Sequence, residues 1–168
     1  LEREATGLIL NALMDRALRV AKRVRTETGI ATLAVSVSTA AIELAKKIFG
    51  DLSGRTVMLI GAGKMSELSA KHLLADGVST VIVTNRHFDR AVELAERWGG
   101  RAVPFDHAKS EMVQADIVIS STGAPHQILS KADLQEIVLQ RRNRPIFVID
   151  IAVPRDVDPE ANEVDNVY

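Results

Sequence analysis

From residue 57 onward, short apolar runs alternate with stretches whose apolar residues recur at helical spacing. This alternation constrains the fold more than any other feature. The runs at 57–60, 81–84, 102–104, 117–120 and 146–149 read as strands, and the stretches at 65–76, 88–98, 107–114 and 131–141 read as helices. Strand–helix repetition of this kind builds a parallel sheet with right-handed crossovers. The runs Val57-Met58-Leu59-Ile60 and Ile146-Phe147-Val148-Ile149 are apolar at every position, as strands covered by helices on both faces must be. The sheet is therefore expected to be doubly wound. Upstream, Ile9, Leu13, Ala17, Val20 and Val24 recur at helical spacing with Gly29 as a stop. A second helix is expected over 38–49, with Ser38 as N-cap, Ala41, Ile42, Ala45 and Ile48 or Phe49 as its buried stripe, and Gly50 at its end.

A chain of 168 residues that is 46% hydrophobic supports one domain with short flanks. Lys and Arg number 21 against 22 Asp and Glu, so bulk attraction does not make this a nucleic-acid binder. The longest apolar runs are too short to span a bilayer and no charged-then-apolar leader opens the chain, so a soluble, cytoplasmic protein with no membrane partner is expected. There is no cysteine, hence no disulfide, thiolate–metal site or cysteine nucleophile within these residues. The chain opens on Leu1 and stops just after an acidic stretch, and it reads as a piece of something longer.

Gly61-Ala62-Gly63 falls directly between the first strand and its helix, where a dinucleotide-binding turn belongs. Without a Cβ at Gly61 the chain can turn tightly off the strand. Without one at Gly63 the backbone can approach a pyrophosphate, toward which the N–H groups of Lys64, Met65 and Ser66 would point. Ser66 stands in place of the usual third glycine. A tight turn in a nucleotide-free sheet is the plain alternative.

The end of the second strand discriminates between cofactors. An NAD site places an acid there to hold the ribose 2′-hydroxyl, whereas this sequence has Thr84-Asn85-Arg86. Arg86 can pair with a 2′-phosphate, and Thr84 and Asn85 can donate hydrogen bonds to it, so NADPH is expected over NADH. Arg90, one helical turn on, either adds a second positive charge or is a solvated helix arginine. The small-residue loop with Ser121, Thr122 and Gly123 after the fourth strand is expected to pass over the ribose and nicotinamide. Residues 150–154, including Ile151, are expected to close the same crevice. The fold class is thus α/β, a Rossmann-type doubly wound parallel sheet with an N-terminal helical extension.

No catalytic constellation is visible. His72, His87, His107 and His126 have no metal-ligand spacing, so no metal is expected, and only His126 lies near the expected nicotinamide. Asp150 at a strand end is either catalytic or, more commonly, a capping group. Arg16, Arg19, Lys22, Arg23 and Arg25 on the first helix read as a solvated face or as a local tRNA contact.

Taken in order, Arg23-Val24-Arg25-Thr26-Glu27-Thr28-Gly29-Ile30, Val35-Ser36-Val37-Ser38, Gly61-Ala62-Gly63-Lys64-Met65, Thr84-Asn85-Arg86, Asp116 to Pro125 and Ile149 to Asp156 make the chain resemble the NADPH-binding domain of glutamyl-tRNA reductase. Lys64, where that family commonly carries Glu, and Ser66 are departures. The Asn-Arg pair alone also resembles shikimate dehydrogenases. The resemblance implies an enzyme that takes glutamate from glutamyl-tRNA(Glu) onto a cysteine as a thioester and reduces it with NADPH to glutamate-1-semialdehyde, toward 5-aminolevulinate and tetrapyrroles. It implies a thioester-forming cysteine in a preceding catalytic domain, no catalytic residue within these residues, a homodimer built by following helices, and glutamate-1-semialdehyde aminomutase as a further partner. Residues 1–29 would be a connecting helix, 30–155 the Rossmann domain, and 156–168 the start of a linker. A shikimate-dehydrogenase-like reductase and a non-catalytic nucleotide-binding module are the alternatives.

Overall fold

The structure is a computed structural model that describes residues 7–28 and 37–168. It divides into two units after Ser36, later than the division expected after residue 29.

The first unit holds one described helix, α1 (Leu8–Glu27). Its apolar series Ile9, Leu13, Val20 and Val24 is exposed, as are Arg16, Arg19, Lys22 and Arg23. Arg23 pairs with Glu27 one turn on at 3.1 Å, an exposed pair of small energetic weight. The expected stop at Gly29 lies outside the described residues.

The second unit begins with α2 (Val37–Phe49) and continues as β1 (Thr56–Ile60), α3 (Lys64–Ala75), β2 (Thr80–Asn85), α4 (Phe88–Arg97), β3 (Arg101–Pro104), α5 (Ala108–Glu111), β4 (Ile117–Ser120), α6 (Lys131–Gln140) and β5 (Phe147–Asp150). The five strands form one all-parallel sheet in the order β3-β2-β1-β4-β5. The winding direction reverses between β1 and β4. Ile60 is in register with both Thr84 and Ser120, so the carboxyl ends of β1, β2 and β4 open side by side at the switch point.

Successive side chains of a strand point to opposite faces, and here they sort into two cores. Val57, Leu59, Val81, Val83, Ile117 and Ile119 pack with Ala41 and Ala45 of α2, Ala70 and Leu73 of α3, and Ala91 and Leu94 of α4. Met58, Ile60, Ile82 and Val118 pack on the other face with Met112, Leu134, Ile137 and Val138. Both faces are covered, which is why β1 is apolar at consecutive positions. The α6 helix is anchored by a capping box in which Asp133 N donates to Ser130 Oγ at 3.2 Å and Ser130 N donates to Asp133 Oδ2 at 2.9 Å.

Besides one-residue shifts at the ends of other elements, four details differ from the sequence expectation. α2 starts at Val37, which puts Ser38 inside its first turn. The helix expected over 107–114 is the single turn α5 flanked by 3-10 turns, Phe105–His107 and Met112–Gln114. The carbonyls of Met112, Val113 and Ala115 there accept from the Arg141 guanidinium, which satisfies them outside a helix ladder. β5 runs one residue later than expected because Ile146 pairs with the end of the chain: its N–H donates to Asn166 O at 2.9 Å, and Tyr168 N donates to its carbonyl at 3.0 Å.

The fourth difference concerns residues 156–168, expected to be the start of a linker. Asp156 is fully buried, and Val157, Ala161, Val164 and Val167 join the second core. The tail also supplies hydrogen-bond partners to the outer side of β5, an edge that would otherwise leave backbone groups open. Apolar residues spaced three to four apart gave this segment a face to bury. Among the described residues no helix is long and apolar enough to cross a membrane, and no cluster of His, Asp and Glu could hold a metal ion.

Candidate functional site

A cavity of about 340 Å³ opens at the carboxyl edge of the sheet, with walls from the ends of four strands. Gly61, Ala62 and Gly63 line it from the turn after β1, Asn85, Arg86, His87 and Arg90 from β2 and the start of α4, and Phe105 from the end of β3. Ser121, Thr122, Gly123, Ala124, His126 and Ile128 complete it from the loop after β4.

The turn after β1 is held on both sides. Gly61 N donates to Thr84 O at 2.9 Å, and Ser121 N donates to Ile60 O at 2.9 Å. Gly61 has φ +93°, and a Cβ on it would lie 2.4 Å from the carbonyl oxygen of Ser121. Gly61 is thus demanded by the neighbouring strand end as well as by the turn itself. A Cβ on Gly63 would lie 2.7 Å from Ser121 Oγ. Ser66 is buried, and its hydroxyl donates to Gly63 O at 2.8 Å, bracing the turn from within the first turn of α3.

On the β2 side, His87 N donates to Asn85 Oδ1 at 3.0 Å, closing a tight turn that carries Arg86 to the rim. Among the described residues Arg86 and Arg90 join no ion pair. Among the described residues no carboxylate lines the cavity. The N-caps of α3 and α4, Gly63 and His87, both lie in the lining, and neither supplies a side-chain cap. Their first-turn N–H groups therefore add positive potential to a wall already carrying two guanidinium groups. The N-terminus of α6, by contrast, is satisfied by Ser130 Oγ and by Asp158 Oδ2, which accepts from Lys131 N at 3.3 Å.

Nine of the fourteen residues expected at a cofactor site thus line one cavity: Gly61, Ala62, Gly63, Asn85, Arg86, Arg90, Ser121, Thr122 and Gly123. Lys64 is exposed at the first position of α3, outside the lining, and Met65 follows it in the same turn. Ser66 braces the turn from below. Thr84 does not reach the cavity: it is fully buried inside β2, and its hydroxyl has no partner among the described residues. Ile151 packs against the first core, and its N–H donates to Ser120 O at 2.9 Å. Residues 150–154 line no part of the cavity.

Asp150 is a capping group. Its Oδ1 accepts from Ala152 N, and its Oδ2 accepts from Asp156 N and Val157 N, each at 3.0 Å. His126 lies in the same lining as Arg86 and Phe105, whereas His72 and His107 lie outside it. The sequence reading missed His87, Phe105, Ala124 and Ile128. Phe105 follows β3 directly and could have been found by taking every residue just past a strand end. Ile128 depends on the path of the chain beyond Pro125, which no local pattern encodes.

The all-parallel sheet, the switch-point cavity and the glycine turn define an α/β domain of the Rossmann type. The chain belongs to the shikimate / quinate 5-dehydrogenase family, whose model matches residues 43–168. It is 58% identical to the glutamyl-tRNA reductase of Trichlorobacter lovleyi over 167 residues, which is 99% of this chain and 38% of that protein. Among solved structures, glutamyl-tRNA reductase from Methanopyrus kandleri matches with a TM-score of 0.75 and 42% identity, over 96% of this chain and 41% of that one. The nucleotide-binding domain of the Thermoplasma volcanium glutamyl-tRNA reductase shares the fold, with a TM-score of 0.56 at 18% identity over 79% of this chain and 84% of that one. The chain therefore spans about two-fifths of the length of the curated relatives it matches. The family model begins at residue 43, whereas the likeness to glutamyl-tRNA reductases takes in α1 as well, so the latter is the more specific of the two.

Proposed function

We propose that this chain is the NADPH-holding part of a cytoplasmic glutamyl-tRNA reductase. The observation that carries the cofactor assignment is the cavity wall, which among the described residues has two guanidinium groups outside any ion pair, two helix starts without a side-chain cap and no carboxylate. Such a wall suits a ligand bearing a pyrophosphate and an additional phosphate, and an acid to hold a bare ribose diol is missing from it. In this reading Gly61, Ala62 and Gly63, with the N–H groups of Lys64, Met65 and Ser66, hold the pyrophosphate. Asn85, Arg86 and Arg90 hold the 2′-phosphate, and Ser121, Thr122 and Gly123 border the ribose. Thr84 and Ile151 act behind the surface, Thr84 by giving its carbonyl to Gly61 N and Ile151 by tying the end of β5 to β4.

NADPH supplies a hydride when bound. The chain has no cysteine, so a thioester would be formed by a residue elsewhere in the full protein, and these residues contribute binding and orientation. Glutamyl-tRNA(Glu) as substrate, a homodimer and transfer to glutamate-1-semialdehyde aminomutase belong to the same proposal and rest on the likeness to the longer relatives.

Replacing Arg86 by alanine is expected to weaken NADPH binding by about tenfold to a hundredfold while changing NADH binding little, since a charge-assisted bond to the 2′-phosphate is worth about 1.5–3 kcal/mol. Calorimetric titration of the variant with both nucleotides checks this. An unchanged ratio of the two affinities would remove Arg86 from the site.

A further inference from the structure

Asp156 is a carboxylate with no exposure to solvent, six residues beyond the last strand. Among the described residues it joins no ion pair. A buried charge of this kind is costly unless hydrogen bonds replace its lost water. Three do. Ser120 Oγ donates to Oδ2 at 2.7 Å, Thr122 N donates to Oδ2 at 2.8 Å, and Thr122 Oγ1 donates to Oδ1 at 2.5 Å. The carboxylate is itself placed by the N–H groups of Asp156 and Val157, both donating to Asp150 Oδ2.

The apolar packing of the tail does not need this group, because Val157, Ala161, Val164 and Val167 already seat the segment in the second core. What the carboxylate does that an apolar residue could not is grip one residue of the cavity wall at both its backbone and its side chain. That residue, Thr122, passes the restraint on, since its Oγ1 also accepts from Ala124 N at 3.2 Å. Residues 120–124 are thereby one hydrogen-bonded unit fastened from beneath.

We infer that Asp156 is a positioning residue for the cofactor cavity, holding the loop after β4 in its binding conformation before the ligand arrives. This rests on the reading of that cavity as a nucleotide site. A loop ordered in advance spares the ligand the entropy of ordering it, so the effect falls on affinity. It falls equally on NADPH and NADH, because Asp156 touches neither Arg86 nor Arg90.

The test is nucleotide titration and thermal melting of the 168-residue chain and three variants: Asp156→Asn, Thr122→Val and the double substitution. The asparagine keeps the shape but loses the charge and one acceptor oxygen, and its amide N–H can meet Thr122 only by donating to an Oγ1 that already accepts from Ala124 N. Asp156→Asn is expected to weaken both nucleotides about tenfold with their ratio unchanged, and the double variant to be no weaker than the worse single one, because both changes break the same contact. A mere loss of stability would leave the affinities intact well below the melting temperature. Unchanged affinity in Asp156→Asn, or fully additive losses in the double variant, would overturn the inference. If Asp156→Asn does not melt cooperatively, a further variant, Ser120→Ala, carries the test, because it removes a donor to Asp156 Oδ2 at a residue that lines no part of the cavity: weakening of both nucleotides supports the inference and unchanged affinity overturns it. Failure of the unmutated chain to bind either nucleotide would instead overturn the assignment of the cavity.

Discussion

Gly61→Ala is expected to weaken NADPH binding about a hundredfold, roughly 2.7 kcal/mol, and to destabilise the domain by about 2–4 kcal/mol. The backbone at Gly61 has φ +93°, a region that costs any L residue with a Cβ about 1–2 kcal/mol. The larger contribution is steric. The added methyl would sit 2.4 Å from Ser121 O and 2.9 Å from Ser121 C, and these are backbone atoms that cannot swing aside. Relief requires the β1 turn and the β4 loop to move apart, which strains the bonds from Gly61 N to Thr84 O and from Ser121 N to Ile60 O. Both sides of the cavity shift together, so affinity and melting temperature should fall together. A variant that melts like the unmutated chain and binds NADPH equally well would show that the turn is not constrained in this way.

Arg141→Met should lower stability by about 3–5 kcal/mol without altering the preference between nucleotides. The Arg141 side chain has no solvent exposure. Its guanidinium donates to Val113 O at 2.9 Å, Pro145 O at 2.7 Å and Asp116 Oδ1 at 3.2 Å, and it also donates to Ala115 O. Burial pushes it below arginine's ordinary pKa, opposed by the neighbouring Asp116 carboxylate. Asp116 in turn accepts from Thr56 N at 3.2 Å, so this one cation ties the start of β1, the start of β4 and the end of α6. Methionine fills much of the volume but leaves the nearly buried Asp116 with only Thr56 N and an Arg55 guanidinium 4.0 Å away, and takes the Arg141 donor from the carbonyls of Ala115 and Pro145. For a chain of this size the loss corresponds to a drop of about 10 °C in melting temperature. Adding Asp116→Asn to the variant should recover part of it, because the stranded charge is then gone. Equal stability of Arg141→Met and the unmutated chain in denaturant unfolding would contradict the account. Arg141 lies at the amino edge of the sheet, away from the cavity, which is why nucleotide preference should survive.

The fold could be read from the sequence because each strand and each amphipathic helix carries its own period. Val57 to Ile60 is apolar on both faces, and Ala41, Ile42 and Ala45 mark the stripe of α2, without reference to distant residues. The Gly61-Ala62-Gly63 turn and the Asn85-Arg86 pair could be placed on one wall for a related reason: position at or just past a strand end puts them there. What could not be read depends on contacts made at long range. Arg141 reads as the solvated end of an amphipathic helix until Asp116 and the carbonyls of 112–115 are folded against it. Asp156 reads as part of an acidic tail until Thr122 is brought to it across thirty-four positions of sequence. Thr84 adjoins Asn85 in the sequence and so reads as facing the ligand. One residue along a strand turns a side chain to the opposite face, and Thr84 is buried. Phe105 shows the converse: it contributes to the wall only because β3 is placed beside β2.

The central claim is that the cavity at the Gly61-Ala62-Gly63 turn takes a dinucleotide bearing a 2′-phosphate. Calorimetric titration of the unmutated chain with NADPH and, separately, with NADH tests it most directly. The account predicts binding of both at the same site, with NADPH tighter by about tenfold or more, in line with one or two charge-assisted bonds to the extra phosphate. Equal affinities, or tighter binding of NADH, would contradict it.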